Sequence, residues 1–95
     1  MSEEVHIAGI VVHALPERVQ RVAASIAGVS GSEVHAASAD GKLVVTLEGS
    51  SAREIAGRIE AIQRLDGVVS ASLVYQHNET LAAMMEEVSH EDHQA

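Results

Sequence analysis

No cysteine occurs in these 95 residues, nor any phenylalanine or tryptophan; there is one tyrosine, Tyr75, and one proline, Pro16. Without cysteine the chain has no disulfide, no thiolate zinc site and no redox dithiol, a composition that fits a reducing compartment. Without phenylalanine or tryptophan its core has to be built from Val, Ile, Leu and Ala. The rings on which sheet-based RNA-binding domains stack bases are also almost entirely missing. Positive charge is scarce: six Lys and Arg stand against fourteen Asp and Glu, for a net charge of −8. So few cations argue against nucleic acid and against anionic membrane surfaces as partners. A basic peptide suits the chain better. The longest apolar run is only a few residues, far from the ~20 that a membrane helix needs. The start, MSEEVH, is acidic, so no secretory signal is expected there.

What is present is patterned. Val5 to Ala14 (VHIAGIVVHA) is apolar and β-branched, which predicts a strand. Pro16 stands where proline suits the first turn of a helix, and Val19, Val22, Ala23 and Ile26 follow as one helical stripe. Gly28 and Gly31 end it. Ser32 to Ser38 alternates, with Val34 and Ala36 on one side and Glu33, His35 and Ala37 on the other. Asp40-Gly41 signals a hairpin. Lys42 to Glu48 alternates again, with Leu43, Val45 and Leu47 inward and Val44, Thr46 and Glu48 outward. Ser51 and Glu54 form a capping box ahead of a second helix carrying Ala52, Ile55, Ile59 and Ile62. The last strand, Gly67 to Glu79, places Val69, Ala71, Leu73 and Tyr75 on one face and Ser70, Ser72 and Val74 on the other.

The order is β-α-β-β-α-β, with two similar halves, neither able to bury its apolar face alone. This is the split β-α-β arrangement, an α+β, ferredoxin-like two-layer sandwich. Right-handed crossovers put both helices on one face of a four-stranded antiparallel sheet of order 4-1-3-2. The other face is open. Alternation assigns to it Ile7, Gly9, Val11 and His13, then Glu33 and His35, then Val44, Thr46 and Glu48, then Ser70, Ser72 and Val74. Both faces of the first strand are apolar, and a slip of one residue exchanges them. Placing Ala8, Ile10 and Val12 inward leaves Gly9 beside Ser70 and Ser72 as a smooth floor. A contiguous apolar strip of Ile7, Val11, Val44 and Val74 on a sheet centre points to a docking surface. The acids flank it, and histidines as a class titrate near neutrality, so docking is expected to depend mildly on pH.

Catalytic constellations are missing. No glycine-rich loop leads into Lys and Ser or Thr. The serines near His13 and His35 have no supporting motif. Small phosphate-cleaving enzymes of this fold need a basic anion loop, and Ala14–Pro16 offers neither Arg nor Asn. Metal carriers of this fold use a Cys pair where this chain reads His13-Ala14-Leu15-Pro16. His90 and His93 with Glu91 and Asp92 have chelating i, i+3 spacing, but a polar terminus of this kind reads as a solvated segment. The expectation is a protein that is not an enzyme, with no metal and no cofactor.

The chain divides into a domain over 1–79 and an acidic tail over 80–95. In the tail Leu81, Met84, Met85 and Val88 fall at i, i+3, i+4, i+7, so a short amphipathic helix that covers the open face is one expectation and a frayed end the other.

Three segments carry a family resemblance: IVVHALPE (10–17), GSEVHAASADGKLVVTLEG (31–49) and GVVSASLVYQHNE (67–79). Together, over about Val5 to Glu79, they resemble the NapD family, small cytoplasmic chaperones of the periplasmic nitrate reductase. The resemblance implies a non-enzymatic, metal-free chaperone. It implies binding of the twin-arginine signal peptide of the catalytic subunit NapA, as a helix on the open sheet face. Export by the Tat system would thus be held back until the molybdenum cofactor and iron–sulfur cluster are installed. A monomer is expected. The alternative from another class is a regulatory module of the ACT type, which shares the topology and binds an amino acid near the first helix. This chain has no clear glycine-lined pocket there.

Overall fold

The computed structural model describes residues 4–80; the expectations about the tail lie outside the described residues. Along the chain come strand β1 (Glu4–Ala14), one turn of 3-10 helix (Pro16–Arg18), helix α1 (Val19–Ala27), strands β2 (Ser32–Ala37) and β3 (Lys42–Gly49), helix α2 (Ala52–Gln63) and strand β4 (Val68–Thr80). The sheet is antiparallel with order β2-β3-β1-β4. This is the expected βαββαβ sandwich.

Local chemistry explains the boundaries. Pro16 opens a 3-10 turn, and only after it does the regular helix begin. Ser51 accepts the Glu54 N–H at 3.1 Å, as a capping residue should. The return half of the box is shifted by one residue: Glu54 Oε1 accepts the N–H of Ser50, at 2.7 Å, in place of that of Ser51. This hydrogen bond is the main reason the Glu54 carboxyl titrates below its ordinary value. In the β2–β3 turn, Gly41 takes φ 110°, a backbone conformation that favours glycine. There Ser38 Oγ donates to Asp40 and holds its carboxyl below the usual range.

One core joins the layers. Ala8, Ile10, Val12 and Ala14 of β1 and Leu43, Val45 and Leu47 of β3 are buried with Val19, Val22 and Ile26 of α1 and Ile55 and Ile62 of α2. Both helices therefore cover the same sheet face. Ala52, expected to continue the α2 stripe, is exposed, because the stripe starts at Ile55. Arg58 fastens α2 to the end of β3 by donating to the Glu48 carbonyl, and its Nη2 lies 3.5 Å from Glu54. Arg18 closes the opposite end through Asp66 at 2.5 Å.

β4 covers the span expected of it to within one residue at each end, polar stretch included. Asn78, Glu79 and Thr80 still pair with His6, Val5 and Glu4. A polar sequence remains a strand here because β1, paired with it as far as Glu4, supplies the backbone partners.

Candidate functional site

The pairing register decides which residues share the face that the helices leave open. Four rows cross it. The first holds Ile7 and Glu48, the second Tyr75, Gly9, Thr46 and Glu33, the third Ser72, Val11, Val44 and Ala36, and the fourth Ser70, His13 and Lys42. Successive rows lie two residues apart along a strand, or ~6.7 Å, so the face is about 20 Å long.

Ten of the twelve residues expected on this face take register positions in these rows: Ile7, Gly9, Val11, His13, Glu33, Val44, Thr46, Glu48, Ser70 and Ser72. The other two sit at bulges. His35 is the extra residue where the β2–β3 register shifts between Val34 and Ala36, yet its Nε2 reaches Thr46 Oγ1 at 2.7 Å. Val74 is the extra residue of β4, between Leu73 (opposite Ile10) and Tyr75 (opposite Gly9). It is 63% exposed at the sheet edge and has no place in the central strip to which it was assigned.

Bulges also correct the inward assignments of Ala36, Tyr75 and Val69, because one extra residue is itself unpaired and reverses the parity of what lies beyond it. Ala36, expected beside Val34 on the core side, lies opposite Val44 on the open face. Tyr75, expected with Ala71 and Leu73, lies opposite Gly9 on the open face. The ring of Tyr75 covers Gly9, where an added Cβ would meet ring carbons Cδ1 and Cζ at 2.7 and 2.8 Å. Gly9 is consequently buried and is no bare floor. An aromatic ring filling the space over a strand glycine is a known sheet device. The smooth part of the face is instead the third row, Ala36, Val44, Val11 and Ser72. A second β4 bulge makes Val69 the extra residue opposite the His13–Ala14 step. Val69, Leu73 and Val74 are exposed along this edge strand, which its two bulges break up.

Charge is graded along the face. Glu48 occupies the first row and Glu33 the second, with Glu33 Oε2 4.0 Å from His35 Nδ1. At the far end Lys42 stands opposite His13, and Ser70 Oγ lies 3.4 Å from His13 Nδ1. The face thus runs from an acidic end with the tyrosine, across small apolar residues, to a basic end.

A hollow of about 500 Å³ lies elsewhere, between the start of α1 and the β2–β3 turn, lined by Pro16, Glu17, Val19, Gln20, Ala37, Ser38 and Ala39. No glycine and no cationic side chain lines it, so its lining offers no cation to pair with the carboxylate of an amino acid. Among the described residues no group of three or more His, Asp or Glu side chains is arranged to hold a metal ion. No described helix is long and apolar enough to cross a membrane.

Comparison with known proteins addresses the same region. The family model described as NapD protein matches residues 5–80. A chaperone NapD from Paracoccus pantotrophus is 40% identical over 75 residues, covering 79% of this chain and 66% of the relative. A chaperone NapD from Escherichia coli K12 is 30% identical over 74 residues, covering 77% of this chain and 85% of that one. The solution structure of the E. coli Tat proofreading chaperone protein NapD superimposes with a TM-score of 0.75 at 29% identity, over 83% of this chain and 84% of the other.

Proposed function

This chain belongs to the NapD family, and we propose that it is a cytoplasmic chaperone that binds the twin-arginine signal peptide of the periplasmic nitrate reductase subunit NapA on its open sheet face. Relatives named as chaperones, one of them a Tat proofreading chaperone, support a role in holding another protein and not in catalysis. The observation that carries the reading is the graded face itself. Small apolar residues occupy its middle, carboxylates one end, and a lysine the other.

A twin-arginine signal peptide is basic at its start and apolar after it. As a helix of ~13 residues it would span the ~20 Å of the face. Its apolar part would lie over Val11, Val44 and Ala36, where short side chains let the peptide approach, in the manner of a helix docking on an apolar surface. Glu33 and Glu48 would steer the arginines and pair with them, and Lys42 would disfavour the reversed orientation. A peptide so held cannot reach the translocase, which delays export while the molybdenum cofactor and iron–sulfur cluster are installed.

The test is calorimetric titration with the NapA signal peptide and with a copy whose paired arginines are Gln. The first should bind and the second bind more weakly. No heat of binding with the first peptide would sink the proposal. Equal binding of both would remove the electrostatic part.

A further inference from the structure

Tyr75 is the sole aromatic residue of the chain, and the β4 bulge turns it onto the open face at the acidic end. Its ring is laid across Gly9 of β1, the strand between β4 and β3, and so leans toward the side on which Glu48 and Thr46 stand. It remains 46% exposed. Glu33, in the same row, presents a carboxylate that is 74% exposed. Among the described side chains of the four rows, Lys42 is the one Lys or Arg, and it stands two rows from Tyr75.

We propose that Tyr75 is a specificity-determining residue that holds a guanidinium group of the bound peptide against its ring, between that ring and the carboxylates of Glu48 and Glu33. The inference rests on the signal-peptide reading and deepens it by assigning the arginine end. The chemistry favours an arginine. A planar guanidinium stacks on an aromatic face while its N–H groups point sideways toward carboxylates. A carboxylate alone attracts any cation, and an apolar contact alone attracts none. The ring with the acids beside it reads both planarity and charge. Gly9 contributes by having no Cβ, which lets the ring lie low over β1 and leaves room above it for a helical ligand.

Because there is no tryptophan and no second tyrosine, tyrosine emission reports on this one side chain. The experiment uses the whole chain as wild type, Tyr75→Leu and Tyr75→Phe. Two signal peptides free of tyrosine and tryptophan are titrated, one with its paired arginines and one with both changed to Gln. Wild type and Tyr75→Phe should show the same preference for the arginine peptide. In Tyr75→Leu that preference should fall about three- to tenfold, the size of one cation–π contact, while the Gln peptide binds the three proteins alike. Wild-type tyrosine emission should change with the arginine peptide and not with the Gln peptide. Unchanged preference in Tyr75→Leu, or emission that ignores the arginine peptide, would overturn the proposal and leave the chaperone reading standing. Loss of affinity for both peptides alike in Tyr75→Leu would also overturn it, reducing Tyr75 to an apolar contact. If wild type binds neither peptide, the signal-peptide reading falls and this one with it.

Discussion

Val44 and Val45 are adjacent and chemically identical, yet Val45 is fully buried against the helices and Val44 is 42% exposed on the other side of the sheet. The whole molecule repeats that contrast. Toward the helices, Ala8, Ile10, Val12, Leu43, Val45 and Leu47 close a core that holds no buried polar side chain among the described residues. Away from them, residues of similar size are interleaved with Glu33, Thr46, Glu48, His13 and Lys42. Apolar side chains on the first face supply stability. On the second, in the reading proposed above, they are surface for a partner to cover, and the polar residues among them would give that surface direction.

The contrast breaks if the two faces respond alike to substitution. The largest effect is expected in the core. Leu47→Ala should cost about 2–5 kcal/mol in urea unfolding, through lost burial and a cavity, and Val45→Asp should prevent folding by burying an unpaired carboxylate. On the open face, Val44→Asp and Ser72→Glu should leave the unfolding free energy within about 0.5 kcal/mol of wild type, as exposed sites do. Each should nevertheless abolish measurable peptide binding. If either of these unfolds the protein, the open face also supports stability and the division between faces is wrong.

Much of this was legible in the sequence because period-2 alternation survives burial. The stripes in β1, β3 and both helices, the Ser51 cap and the Asp40-Gly41 turn each have a local cause that a sequence displays. The bulges do not. Each depends on how two paired strands align, hairpin neighbours for β2 and β3 and strands distant in sequence for β1 and β4, and an extra residue leaves no local mark in β2 or β4. So alternation alone puts Ala36 and Tyr75 on the wrong face and leaves Gly9 bare, where a ring covers it. The one available signal was a strand glycine in a sheet with a lone tyrosine, a pairing that fills space.

Smaller effects sharpen the contrast from the helix side. Ser51→Ala should lower stability by about 1 kcal/mol through the lost cap and leave peptide affinity unchanged, since the cap belongs to the helix layer. The smallest effect concerns acid. Hydrogen bonds hold Glu54 and Asp40 below their ordinary values of 4.5 and 3.8. Their contribution is therefore complete above about pH 4.5 and is lost as pH falls through the lowered values. Glu54→Gln with Asp40→Asn should make the acid limb of the stability–pH curve shallower than in wild type. Identical limbs would show that neither hydrogen bond matters to folding.

The central claim, that the open face is the peptide's seat, is tested most directly by methyl NMR during titration with the arginine-bearing signal peptide. The methyl signals of Ile7, Val11, Val44 and Ala36 should shift together and saturate together, while those of Val22, Ile26, Ile55 and Ile62 on the helix side stay in place. Shifts that gather on the helix side or along the exposed β4 edge, with Val11 and Val44 unmoved, would contradict the account.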